Sequence, residues 1–490
     1  MRIHPTAVLE PTCGQGSFIR SSLIFDAKEY YGIEINPDYC ETCRNSIQDE
    51  RVRIIHADFF AFSSKQLIQD QSRVLIIGNP PWVTNSDLSA GRSNNIPEKF
   101  NFKKLRGFDA ITGASNFDIC EFMILQLIEE YQNTNAVIAM LCKTSVAQNI
   151  FLELKRKRIP FASCRVLKFD AAREFGVCAS ACVLVIQLSE REIFPEICDV
   201  YDFEKPDSIQ SQFGFSNGRF YSNLKDDAQD YDGNCCFQWR QGVKHDCSSV
   251  MELTLRNGTL QNKINEPVNI EPDFVFPLVK SSMFKSPLIH SFSKYVIVTQ
   301  RKIREETLHL KTDAPETWKY LSNHIGLFEK RKSSIYRGTP PFSMFGVGDY
   351  SYSRYKVGIS GFYKKPLFSI LYSDDAKPVM TDDTSYFIPF DSYEKAYVAM
   401  LLLNSEKVQK FLSAIAFLDE KRPYTKRVLE RIDFYRITDT LSLQDLKATE
   451  SALQLEGYVT DGMYHNFRSM LEQTNPSGLL RVSGKRRDAP

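Results

Sequence analysis

The 490-residue sequence has no apolar run approaching the length of a membrane span. Its longest candidates, Ala181 to Ile186 and Ala396 to Leu403, are the size of a strand or a short helix, so no membrane association is expected. The opening Met1-Arg2-Ile3-His4-Pro5 has no apolar core of a secretory signal. Histidine is scarce, with 7 residues and no H-E-x-x-H or H-N-H grouping, which excludes the zinc-protease helix and that nuclease signature. The 12 cysteines show no disulfide-framework spacing, so a reducing, cytoplasmic compartment is expected. Cys40-Glu41-Thr42-Cys43 has no second Cys or His pair beside it and reads as buried thiols, and no metal site is expected. Net charge is nearly absent too: 61 Lys+Arg against 60 Asp+Glu leave +1, which on its face argues against a polyanion partner.

That neutrality is an average. Residues 1–190 carry 21 basic and 21 acidic side chains, residues 191–252 carry 6 and 12, and residues 280–370 carry 16 and 6, a local excess of +10. In the basic stretch aromatic and cationic residues interleave: Phe328, Arg331, Lys332, Tyr336, Phe345, Tyr350, Arg354, Tyr355, Lys356. Cations for phosphates with flat side chains for bases suit a nucleic-acid surface better than a plain solvated face.

The first third alternates short apolar runs with helical patterns. Candidate strands are Ala7 to Glu10, Tyr30 to Ile35, Val52 to His56, Val74 to Ile77, Ala136 to Leu141, Cys164 to Phe169 and Ala181 to Gln187, with a clear amphipathic helix over Phe117 to Tyr131. This pattern predicts an α/β fold with a doubly wound, mainly parallel sheet, whose ligands bind beyond the C-terminal strand ends.

Three of those strand ends carry acids. The first runs into Glu10-Pro11-Thr12-Cys13-Gly14-Gln15-Gly16, the second ends at Glu34 and the third is followed by Asp58-Phe59. A lone Gly-x-Gly is weak evidence, but an acid at the second strand end is placed for a ribose hydroxyl pair, and an acid beside an aromatic suits an adenine amine and ring. No Lys-Ser/Thr follows the loop, so it is not a P-loop. Glu10 would repel a pyrophosphate and suit a cation, which points to a nucleoside with a positive centre, S-adenosylmethionine. The fourth strand then runs into Asn79-Pro80-Pro81-Trp82. The Asn79 side-chain carbonyl and the Pro80 backbone carbonyl can accept both hydrogens of a planar exocyclic amine, and Trp82 offers a face for the base.

Together, Leu9-Glu10-Pro11-Thr12-Cys13-Gly14-x-Gly16 and Gly78-Asn79-Pro80-Pro81-Trp82 resemble the gamma group of N6-adenine DNA methyltransferases of restriction–modification systems. The resemblance implies a Rossmann-like methyltransferase domain over 1–190, an acidic connector over 191–260, and a mixed α+β target-recognition domain over 261–490 that ends in a helical region. It implies cofactor contacts at Glu10, Pro11, Cys13, Gly14, Gly16, Glu34, Asp58, Phe59 and Asn79, a catalytic tetrad Asn79 to Trp82, and a flipped base held between Trp82 and Phe175. Ser115-Asn116-Phe117-Asp118 resembles the motif that opens the helix after the tetrad. In the second half, DNA contacts are expected at Lys330, Arg331, Lys332, Tyr336, Arg354, Lys356, Lys421 and Arg422, and Trp239 to His245 is a further candidate. The implied partners are double-stranded DNA and a separately encoded restriction endonuclease, with the chain acting as a monomer in a prokaryotic cytoplasm. N4-cytosine methylation uses the same tetrad geometry and stays open, as does a DNA-binding specificity protein without catalysis. Members of the group carry a further motif before the first strand, for which residues 1–6 leave no room; this implies a shortened start, a partner that supplies it, or weaker cofactor binding.

Overall fold

The computed structural model describes residues 3–68, 73–82, 118–176, 180–224 and 227–474. The chain divides into two compact units, Met1–Lys225 and Asp226–Pro490.

The first unit is a ten-stranded sheet. Strands β1 (Ala7–Glu10), β2 (Glu29–Glu34), β3 (Val52–His56), β4 (Val74–Gly78) and β5 (Val137–Lys143) pair in parallel in the order β3-β2-β1-β4-β5. These runs are short, apolar and punctuated by Gly, Pro, Asn or Asp, which is why their bounds were legible. Helices α1 (Ser17–Ser22), α2 (Pro37–Ser46), α3 (Ile119–Tyr131) and α4 (Thr144–Lys157) come from the connections between the strands. Both faces of the central strands are covered: Val8, Leu9, Ile33, Leu75, Ile76 and Ile138 are all buried. α2 begins where Asn36 Oδ1 accepts from the Asp38 and Tyr39 N–H groups and Pro37 presets the first turn.

The sheet departs from the parallel expectation beyond β5. β6 (Phe161–Phe169) leads through the five-residue helix α5 (Ala171–Phe175) into β7 (Ala181–Leu188), which pairs antiparallel with both β5 and β6. The connection is too short for the crossover that a parallel neighbour needs. Strands β8 (Ile197–Asp202), β9 (Lys205–Ser216) and β10 (Arg219–Tyr221) extend the same sheet. The acidic stretch 191–260 is therefore divided: its first part forms sheet strands of the first unit and its remainder belongs to the second. Charge reports which side chains meet water and carries no information about which sheet a strand joins.

The second unit holds two five-stranded sheets, mostly antiparallel, and a helical C-terminal part that includes Tyr393–Asn404, Glu406–Ile415 and Asp461–Thr474. Among the described residues no helix is long and apolar enough to cross a membrane.

Candidate active site and nucleic-acid interface

The site is built where β1 and β4 lie side by side. Leu9 pairs with Ile76, so the loop after β1 and the tetrad after β4 leave the sheet next to each other. A Cβ placed on Gly78 would lie 3.6 Å from both Glu10 Cγ and Pro11 Cδ, an ordinary contact distance. The Gly-rich loop and Asn79-Pro80-Pro81-Trp82 are thus neighbours in space as well as in reading order.

Glu10 is 2% exposed, and its Oε2 accepts from the Ile19 N–H at 3.1 Å. Burial pushes its carboxyl up to about 8, and the nearby Glu34 adds to the rise. The loop then turns through Gly14 (φ 51) and Gly16 (φ 81), left-handed conformations that glycine adopts without strain. Gly16 is also packed tightly, since a Cβ there would come 2.3 Å from Cys43 Sγ. Around Gly14 the same construction meets nothing within 4 Å, so that side of the loop is open. Pro11 and Cys13 are buried beneath it, and the Cys13 N–H donates to Ile33 O at 2.8 Å. Burial raises the Cys13 thiol well above its ordinary range, which makes it a packing group.

Glu34 ties the strand ends together. Its Oε2 accepts from the Gly14 N–H at 2.9 Å and its Oε1 from the Asn36 N–H at 2.8 Å. Asp58 accepts from the Phe60 N–H at 2.9 Å and caps a short 3-10 turn. Phe59 is only 5% exposed and lies in the core, with the half-buried Phe60 edge-on to it at 5.5 Å. Asn79 and Pro81 are exposed, Pro80 is buried, and Trp82 is half-buried against the core of the first unit. Phe175 ends α5, just before Gly176 (φ 67); its side chain lies outside the described residues, as do Ser115 to Phe117.

Two features of this site were given no role by the sequence. Thr12 Oγ1 is buried without a hydrogen-bond partner among the described residues, inside the same loop. Lys143, the last residue of β5, donates from Nζ to Asp118 Oδ2 at 2.7 Å and reaches Trp82 O at 3.4 Å. Thr12 lies within the Gly-rich loop, whereas Lys143 stands in none of the motifs along the chain.

These observations fit a cationic nucleoside cofactor. A buried carboxyl with a raised pKa is ready to ionise against a positive group, an unpartnered hydroxyl awaits a polar atom, and the open side of Gly14 leaves room at the end of β1. Among the described residues no group of three or more His, Cys, Asp or Glu is placed to hold a metal ion.

The sequence is 39% identical over 442 residues to the type II methyltransferase M.NspV of Nostoc sp., covering 88% of this chain and 91% of that protein. The chain belongs to the type II methyltransferase family. The methyltransferase is also 27% identical over 170 residues to the type II methyltransferase M.CvrRI of Paramecium bursaria Chlorella virus, covering 34% of this chain and 38% of that protein. Its fold is similar to that of the type IIL restriction-modification enzyme MmeI, solved in complex with DNA, with a TM-score of 0.54 and 12% identity over 99% of this chain and 71% of that one. No protein-family model matches the chain. S-adenosylmethionine is the methyl donor of the methyltransferase.

In the second unit the candidate DNA-contact residues separate by burial. Lys330, Lys332, Arg354 and Lys421 are exposed. Lys330, Arg331 and Lys332 line a cavity of about 720 Å³ together with Lys244, His245, Lys280, Asp382 and Asp383. Arg331 is internally engaged: Nε donates to Phe328 O at 3.1 Å, Nη1 to Ser343 O at 2.7 Å, and the guanidinium sits 3.8 Å over the Tyr336 ring. Arg331 and Tyr336 therefore brace the cavity wall. Arg422 is half-buried, 5.0 Å over Phe362.

Lys356 must be corrected. It is fully buried, its Nζ donates to Ser353 O at 2.6 Å, and burial pushes its pKa down to about 7. It lies on a strand, Tyr355–Ser360, that is covered on both faces, so it is not a surface cation. Trp239 is likewise core, 0% exposed and 6.1 Å from the Phe368 ring. His245 is buried and held neutral, pushed down to about 4, with Nε2 3.7 Å from Glu252 Oε1. Burial alone would raise Glu252, but its ion pairs with Lys263 and Lys280, both 2.9 Å, outweigh this and hold it below the ordinary carboxylate range.

Proposed function

We propose that the chain methylates the exocyclic N6 of an adenine within a specific sequence of double-stranded DNA, as the modification enzyme of a restriction–modification system with a separately encoded endonuclease. The observation that carries this reading is the closeness of Gly78, which ends β4 just before Asn79, to the Glu10-Pro11 pair that opens the cofactor loop: a Cβ on Gly78 would lie 3.6 Å from each. A methyl donor on that loop and an amine on the tetrad would be neighbours.

Glu10, Thr12 and the open face at Gly14 would hold the cofactor, with Glu34 taking the ribose hydroxyls and Asp58 the adenine amine. When bound, the cofactor supplies an electrophilic methyl group on sulfur and departs as a neutral thioether. The Asn79 side-chain carbonyl and the Pro80 backbone carbonyl accept the two amine hydrogens, so the nitrogen lone pair leaves conjugation and is aimed at the methyl. Trp82 and Phe175 stack on the base. Extruding it costs a few kcal/mol, offset by protein contacts. The amine becomes a strong acid only once the N–C bond has formed, so its proton can pass to water and no strong general base is required. The work of the side chains is positioning. The chain acts as a monomer in the cytoplasm of a prokaryote.

Base-resolved sequencing of genomic DNA from cells that express the gene tests this reading. It should reveal N6-methyladenine at one short motif; DNA without any new methylation would overturn it.

Binding to DNA should weaken with salt, because cations that neutralise phosphates release counterions. Four to eight contacts from the basic second unit correspond to a slope of about −4 to −7 in log K against log salt. Lys330→Ala should make that slope shallower by about 1, as for a lysine on a phosphate, whereas Lys356→Met should leave it unchanged. A titration of affinity against salt for the three proteins reads both outcomes.

A further inference from the structure

Lys143 stands where three connections of the catalytic sheet converge. It closes β5, whose Met140 lies opposite Gly78 of β4, so Asn79 to Trp82 leave the sheet beside it. Its Nζ donates to Asp118 Oδ2 at 2.7 Å and to Trp82 O at 3.4 Å. Asp118 uses its other oxygen, Oδ1, to cap α3 through the Cys120 N–H at 3.0 Å. On the opposite side Lys143 pairs with Ala181 of β7, while the Thr144 N–H donates to Ser180 O at 3.0 Å and the two hydroxyls meet at 2.9 Å. Strand β7 follows α5, the helix that ends at Phe175.

One ammonium therefore joins the last residue of the tetrad to the first turn of α3, at a strand end also bound to the segment after Phe175. The Asp118 side chain is 11% exposed and that of Lys143 31%, so the charge-assisted bond is partly shielded from water. An ammonium cannot accept the amine proton, and its use here is geometric. We infer that Lys143 is a positioning residue for methyl transfer: its bonds to Trp82 O and Asp118 fix the backbone that presents the Trp82 ring and the Asn79 and Pro80 carbonyls to the base. The inference rests on the proposed function, and no motif marks this residue.

The test compares full-length wild type with Lys143→Met, Lys143→Arg and Asp118→Asn. It reads single-turnover methyl transfer, KM for DNA, S-adenosylmethionine affinity by calorimetry, and Tm. Lys143→Met should lower the rate about 10- to 100-fold, the scale of a misplacement near 1 Å, while cofactor affinity stays within about threefold. Asp118→Asn keeps the Oδ1 cap but turns the acceptor for Lys143 into an amide, and should fall with it. Lys143→Arg retains the donor and should recover most of the lost rate. An unchanged rate in Lys143→Met overturns the inference, as does a lowered Tm with the folded fraction turning over normally. If Lys143→Met does not fold, Asp118→Asn decides: a wild-type rate overturns the inference, and a reduced rate with intact cofactor affinity supports it. A wild type that methylates no DNA overturns the proposed function and this inference together, whereas an active wild type with unaffected variants overturns this inference alone.

Discussion

Asn79→Ala is expected to reduce the single-turnover rate of methyl transfer by about 10²- to 10³-fold or more, the scale of losing one preorganised polar group at a reacting centre. Without the side-chain carbonyl, one amine hydrogen loses its acceptor and the nitrogen lone pair stays conjugated with the ring. Asn79 is exposed at the end of β4, so its truncation leaves no cavity and Tm should hold. Affinity for DNA should change little, because the second unit is untouched. Turnover equal to wild type would contradict the chemistry assigned to the tetrad.

Glu10 carries the second large effect. Its carboxyl is raised from an ordinary 4.5 to about 8 by burial, so in the free protein at pH 7 it is mostly protonated. A cation beside it is favoured by the carboxylate form. Affinity for S-adenosylmethionine should therefore rise with pH, approaching about tenfold per pH unit below the Glu10 pKa and levelling off above about 8. Glu10→Gln should remove this component and weaken binding at pH 8 by about 10- to 100-fold, the range for losing a partly buried charge partner. The difference between the two profiles isolates Glu10 from titration of the ligand itself. Stability follows the opposite sign. The folded-state pKa lies above the unfolded value, so the contribution of protonated Glu10 is fully present below about pH 4.5, declines as pH rises, and is lost above about 8. The free protein should lose on the order of a few kcal/mol across that window, and Glu10→Gln should not share the loss. Calorimetric titrations and melting curves at five pH values read both signs.

The catalytic strands were legible because each is a short apolar run closed by residues that cannot continue a ladder; Val52 to His56 matches the observed strand at both ends. That Glu10, Glu34 and Asn79 stand at strand ends was legible for a related reason, since the apolar runs stop at them. The direction of β7 was not, because a strand has the same two-residue period whichever way it runs. Lys143 gave no signal because its partners, Trp82 and Asp118, are distant in sequence and meet it only once β4 and β5 pair. Lys356 misled in the other direction: interleaved cations and aromatics look alike on a solvated face and on a strand buried on both sides. Arg331 is half-buried and held by the Phe328 and Ser343 carbonyls, so fewer cations remain available to phosphates than the local +10 suggests.

The methylated atom can be identified directly. Purified protein, S-adenosylmethionine and unmethylated duplex DNA are incubated, the DNA is digested to nucleosides, and the products are separated and weighed by mass spectrometry. N6-methyladenosine is expected as its deoxynucleoside, formed by wild type and at least about 10²-fold more slowly by Asn79→Ala. N4-methylcytosine in its place, or no methylated nucleoside from the wild-type protein, would contradict the proposed function.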